Sequence, residues 1–200
     1  MSGSFLALHG LAIKKFGSAA AVATVIGGDE AAVADALAQA VASGDAMAAR
    51  GAYMVTPKGQ TALRAAYPEQ FAALRTDPSL AATYERFEAV NADLKQLMTD
   101  WQVMVVAGES VPNDHSDNSY DARIIDRLGG LHEQAEPMLA AFITALPRLD
   151  RYRERLDAAL ARAEGGEIEF VSGAKLDSYH TVWFELHEEL LRILDRTRTD

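Results

Sequence analysis

Five histidines are the residues of this chain best suited to proton chemistry near neutral pH, where imidazole titrates. Four of them lie beyond residue 100. His115 sits in a polar segment, Asn113-Asp114-His115-Ser116-Asp117, and Tyr120, Asp121 and Arg123 lead out of it. His132 lies further on, in a helical stretch. His180 and His187 are seven residues apart on another, so they face nearly the same way, with Phe184 between them. Trp101 and Trp183 are the only tryptophans, each within an apolar stripe. Cysteine is absent, which excludes a thiolate nucleophile, thiolate metal ligands and disulfides.

Three chemistries suit this set. The helix histidines can be polar residues satisfied by neighbouring carboxylates such as Glu133, Glu136 and Glu188. Histidines and carboxylates on facing helices can hold zinc or a similar ion. His180 and His187, however, stand about 10.5 Å apart along a helix axis, awkward for one ion, and no metal ligand set is assigned. The third reading is a pocket for a small aromatic or anionic ligand, because helical bundles build apolar cavities with a few convergent polar groups between facing helices. Trp101, Tyr120, Tyr179 and Trp183 then form walls, with His115, His132, His180 and Arg123 as anchors. No phosphate loop, dinucleotide fingerprint or HExxH is present, so no cofactor is assigned to this chain. A chain lacking an ATP site does not perform kinase chemistry alone.

The elements that hold these residues can be read from apolar spacing. Residues 4–16 predict a first helix; Ser18 caps a second through Ile26, ended by Gly27-Gly28; Asp29 caps a third that stops at Gly44. Residues 46–49 and 52–56 alternate around Arg50-Gly51, a hairpin signal, and Thr56-Pro57 caps and opens a further helix. Helix, helix, helix, hairpin, helix is the order of a winged helix-turn-helix, placed here over residues 1–66. Residues 68–78 read as a linker or short helix. Leu80, Tyr84, Phe87, Val90, Leu94, Leu97, Trp101 and Met104 then mark one long amphipathic helix. Residues 108–119 read as a polar loop, 120–146 and 149–163 as helices, 167–171 as a short extended segment, and Asp177 as the cap of a last helix through Leu194. The expected fold is therefore mainly α: the winged helix, followed over residues 67–200 by an antiparallel helical bundle.

Charge then bears on function. The 200 residues are 49% hydrophobic and 24% charged, ordinary globular values, with formal net charge −10. Residues 1–66 hold five bases against four acids, so the remainder holds more than the whole net negative charge. The helix expected to enter a DNA groove, residues 30–43, has Glu30 and Asp35 but no Lys or Arg, and Gln39 is its one base-reading candidate. DNA affinity rests mainly on cations that neutralise phosphates, so nucleic acid is not the favoured partner. An Ala-rich surface (Ala31, Ala34, Ala38, Ala42) suits packing against protein. The N-terminal apolar stretch is too short for a signal peptide or a membrane span, which predicts a cytoplasmic protein without a membrane partner.

Two resemblances extend this reading. The phrase Tyr53-Met54-Val55-Thr56-Pro57-Lys58-Gly59-Gln60 resembles the wing-to-helix junction of MarR-type winged-helix regulators. The stretches PNDHSDNSYDARIIDRLGGLHEQAEP and DSYHTVWFELHEELLRILDRTR resemble small cytoplasmic bacterial proteins that accompany phosphoenolpyruvate-synthase-like or pyruvate-phosphate-dikinase-like phosphotransferases. That similarity covers most of residues 70–200. Some such two-part systems phosphorylate phenolic compounds, including hydroxyacetophenones. The resemblance implies a large partner that uses ATP and magnesium and carries the phosphorylated histidine. This chain then supplies the substrate site. Trp101, Tyr120 and Trp183 stack on the ring, and Asp121, His132 and His187 complete the binding set. His115 or His180 takes the phenolic proton, and Arg123 faces the incoming phosphoryl group. The alternative is a ligand- or metal-responsive winged-helix transcriptional regulator, the usual setting for such an N-terminal module.

Overall fold

The computed structural model describes residues 2–198 and is mainly α-helical, with two small antiparallel hairpins among the described residues. The chain divides into two compact units. One comprises the residues up to Asp77 together with those from Glu185 onward; the other is Pro78–Phe184.

In the first unit, α1 (Gly3–Lys14), α2 (Ala19–Ile26) and α3 (Glu30–Ser43) each begin at a side chain that accepts from a backbone N–H of the first turn: Ser2 from Phe5, Ser18 from Ala21, Asp29 from Ala32. Gly27 and Gly44 close α2 and α3 in the left-handed conformation. Strands β1 (Ala46–Ala49) and β2 (Ala52–Val55) pair antiparallel, Ala46 opposite Val55, across Arg50 and Gly51, both at positive φ. Thr56 caps α4 (Pro57–Gln70), with Pro57 at its start. These elements match the expected boundaries closely, but α4 runs through Pro68, so no linker begins there. A single turn, α5 (Ala72–Arg75), comes next. Leu11, Ile13, Val22, Leu37, Leu63 and Phe71 form the buried core of this unit.

The second unit is built on α6 (Pro78–Gln102, 25 residues) packed along α7 (Asn118–Ala145, 28 residues). Here four expectations are corrected. Met104 is not helical: α6 ends at Gln102, and β3 (Val103–Val106) pairs with β4 (Glu109–Pro112), so residues 108–119 are not one loop. Ala107 and Gly108 at positive φ make the tight turn. A short 3-10 turn (Pro147–Leu149) leads into α8 (Asp150–Glu164), which packs on α7. Residues 167–171 are not extended; α9 (Glu169–Ser172) is a helical turn that buries Phe170 and Val171. Finally α10 (Tyr179–Leu194) is capped by Ser178, whose Oγ accepts from Thr181 N at 3.3 Å, because Asp177 is held by Arg155 at 2.8 and 3.0 Å. Of the two compact units, α10 starts in the second and ends in the first. None of the described helices is long and apolar enough to cross a membrane.

Candidate functional site

The β3–β4 hairpin returns the chain to the end of α6, where Asn113 N donates to Gln102 O at 2.9 Å. Asn113 is buried, and its side-chain amide makes three bonds that shape residues 113–121. Nδ2 donates to Trp101 O at 3.0 Å and to Asp121 Oδ1 at 2.9 Å, while Oδ1 accepts from His115 N at 3.0 Å. His115 is thereby fixed at φ 61, a left-handed conformation uncommon for a non-glycine residue. Asp117 caps α7 by accepting from Ser119 N and Tyr120 N, both at 3.0 Å. Hydrogen bonds from Ser119 and from Ser116 hold the Asp117 and Asp114 carboxyls below the usual carboxylate range.

Asp121 lies in the first turn of α7, where a helix N-terminus favours a carboxylate. Its Oδ2 is 2.9 Å from His115 Nδ1, and its side chain is 5% exposed. Asn113 Nδ2 lies 3.2 Å from the same nitrogen, but its two hydrogens go to Trp101 O and Asp121 Oδ1; a carboxylate only accepts, so Nδ1 carries the proton and the Nε2 lone pair is left for a ligand. The Trp101 ring lies 4.5 Å from the imidazole, centroid to centroid, while 31% of the His115 side chain meets solvent. A buried carboxylate thus fixes tautomer and orientation, and a tryptophan face covers one side. This arrangement suits a general base, whose carboxylate partner stabilises the imidazolium that forms. Asp121 also lines a cavity of about 590 Å³ with Ile125, Asp126, Glu164 and Ile168, a volume in the range of small-molecule sites.

Of the residues singled out in the sequence, Trp101, His115 and Asp121 meet here, and Tyr120 and Arg123 are adjacent. Tyr120 donates its hydroxyl to Asp100 O at 2.7 Å, and the exposed Arg123 guanidinium is 5.6 Å from the Tyr120 ring centroid. The others have different surroundings. His132 is eleven residues further along α7, roughly 16 Å at the helical rise, and meets Tyr179, Asp157 and Glu136 instead. Trp183 is buried in the core, stacked on Phe87 at 4.8 Å and donating to Asn91 Oδ1 at 3.0 Å. His180 is on the exposed side of α10, and His187 is buried within the first unit. The chain matches no known family model, no curated protein and no solved structure.

Two features carried no sequence signal strong enough to single them out. Asn113 organises the whole loop, yet it reads as one polar residue among many. In the first unit, His9 is fully buried with Nδ1 3.1 Å from the Tyr67 hydroxyl and Nε2 3.3 Å from Glu189 Oε1. Phe5 stacks on the same imidazole. A meeting of residues 9, 67 and 189 is invisible in one sequence, and burial leaves this histidine no open face for a ligand.

Proposed function

We propose that the chain is the non-ATP-binding subunit of a two-component phosphotransferase that acts on a phenolic hydroxyl, with the His115–Asp121 pair as its proton acceptor. The observation that carries this reading is the oriented imidazole: Nδ1 committed to Asp121, Nε2 without a partner among the described residues, and the Trp101 ring beside it. A phenol is a poor nucleophile until it loses its proton, and a base of near-neutral pKa is suited to remove it. Nε2 takes the phenolic proton as the oxygen attacks phosphorus; the bond from phosphorus to the partner's histidine breaks as the new P–O bond forms. Arg123 is placed next to the loop, where a guanidinium pairs with a phosphoryl group. ATP and magnesium belong to the partner.

The first unit is read as a winged helix used to dock that partner. Its order is α1, α2, α3, a hairpin, then α4, and α2 and α3 carry no base. Ala31, Ala38 and Ala42 are exposed on α3, a smooth and nearly uncharged surface. The same element order is the specific observation behind a second reading, a transcriptional regulator. A mobility shift against the chain's own upstream DNA at low salt separates the two.

The decisive experiment combines the purified chain with a dikinase-like partner, ATP, magnesium and a hydroxyacetophenone, and measures aryl phosphate. His115→Ala lowers the rate by about 10²–10⁴-fold, the usual contribution of a positioned base, and Asp121→Asn lowers it because the tautomer is no longer fixed. An unchanged rate in His115→Ala removes the base role and leaves a scaffold. Failure of the two chains to form a complex removes the subunit reading.

A further inference from the structure

Away from the loop, α7 and α8 bring three ionisable side chains to one point. We propose that His132, Glu136 and Asp157 form a site for a single divalent transition ion, with zinc the best match. His132 and Glu136 are four residues apart on α7 and so share a face; Asp157 comes from α8, which packs alongside. His132 Nε2 is 3.0 Å from Asp157 Oδ1 and 3.6 Å from Glu136 Oε1, and the three donor atoms all lie within 4.8 Å of one another. Metal–ligand bonds of about 2.0–2.2 Å place tetrahedral donors roughly 3.3–3.5 Å apart. Two of the three edges already bracket that spacing, and the third closes by rotation of two carboxylates that are 40% and 53% exposed.

Two further observations favour an ion over a simple histidine–carboxylate pair. Among the described residues neither Glu136 nor Asp157 has a Lys or Arg partner. Yet α8 is rich in arginines, and these go elsewhere: Arg153 to Asp150 at 2.6 Å, Arg155 to Asp177 at 2.8 Å. Two carboxylates therefore converge on one imidazole with no cation to balance them, which a dication supplies. The second observation is the outer support. His132 Nδ1 is 3.2 Å from the hydroxyl of Tyr179, a side chain fully buried by its neighbours. A hydrogen bond to the far ring nitrogen is what fixes the tautomer of a metal-binding histidine and aims the other nitrogen. One imidazole and two carboxylates make a borderline-to-hard donor set, suited to zinc or manganese, and the exposed side leaves a position open to water.

The test uses the full chain, stripped of metal, titrated with zinc by calorimetry and with cobalt(II) by visible absorption, which reports tetrahedral coordination. The expected result is saturation at one ion per chain. Asp157→Asn and Glu136→Gln each weaken zinc binding at least tenfold and abolish the cobalt bands. Both change exposed or half-exposed side chains, so the fold survives; circular dichroism checks it. Tyr179→Phe weakens binding by about 10–100-fold through the outer shell alone. Asp126→Asn, an acid on α7 away from the cluster, leaves the titration unchanged. No saturable zinc binding, or binding that Asp157→Asn and Glu136→Gln leave intact, overturns the proposal. Neither readout depends on phosphoryl transfer, so this site stands or falls apart from the function proposed above.

Discussion

Tyr67 and Tyr179 are each buried with the hydroxyl against an imidazole, His9 in one case and His132 in the other. Burial is the largest cause that raises both above the ordinary value of 10.0; for Tyr67 the Arg192 charge opposes it, and for Tyr179 the Asp157 and Glu136 charges add to it. Linkage gives the sign. Near pH 10 the unfolded chain releases these protons while the folded chain keeps them, so the native state binds more protons and stability falls as pH rises. The contribution is complete below pH 10 and is lost above it, at up to about 1.4 kcal/mol per pH unit for each tyrosine. Urea unfolding at pH 9 and pH 11 measures the loss, and Tyr67→Phe and Tyr179→Phe each flatten it. An identical pH slope in the double variant would show that the tyrosines are not its source. At the same scale the site was only partly legible. His115 and Asp121 stood out because polar, ionisable residues crowd a short segment. Their pairing depends on the left-handed backbone at His115 and on Asn113, which no periodicity reports. For Trp183 an indole in an apolar stripe reads alike whether it walls a pocket or fills a core, and the structure shows it buried.

Elements capped by small polar residues and closed by glycine were read to within a residue or two, because caps and turns are local chemistry: Ser18, Asp29, Thr56 and Gly44 do what their types favour. The β3–β4 hairpin was missed for a physical reason. Val103 to Val106 continues the apolar run of α6, and its turn uses Ala107 at positive φ, where Asn or Gly is the usual signal. Asp177 misled for a similar reason, since a good cap residue was taken by Arg155 across the fold. Close packing between elements is equally silent in the sequence. Gly59, in the first turn of α4, has no room for a side chain: a Cβ there meets the Asp45 carbonyl oxygen and lies 2.8 Å from Val55 Cγ1. The Asp45 carbonyl also accepts from Thr56 N at 3.0 Å, tying the end of α3 to the start of α4. Backbone cannot yield as a flexible side chain does, so Gly59→Ala costs about 1–3 kcal/mol by overpacking despite alanine's better helix propensity. A urea midpoint that fails to fall, at unchanged slope, would contradict this.

At the scale of the whole chain, the division of α10 decides what folds with what. Its second half supplies the first unit with Leu186, Leu190 and Ile193, all buried, and with a set of polar ties. Glu189 meets His9, Glu185 accepts from Lys14 at 2.5 Å, and Arg75 donates to the carbonyls of Arg192 and Ile193 at 3.0 and 3.2 Å. These partners stand 117 to 180 residues apart, so no local pattern announces them; a boundary near residue 66 rests on composition and hairpin position alone. The expected consequence is that residues 1–77 do not hold their core alone. Ending the chain after Phe184 exposes the apolar surface that Leu186, Leu190 and Ile193 cover, at about 1.5–3 kcal/mol for each large aliphatic side chain. It also leaves the fully buried His9 imidazole without Glu189. Losses of that size are comparable to the entire stability of a small domain. Hydrogen exchange on the truncated chain therefore shows α1 and α4 amides exchanging by global opening of the first unit, while α6 and α7 amides keep their protection. Protection of α1 equal to that of the full chain would mean that the helices before Asp77 hold their core unaided, and the assignment of residues 185 onward to that unit would have to be abandoned.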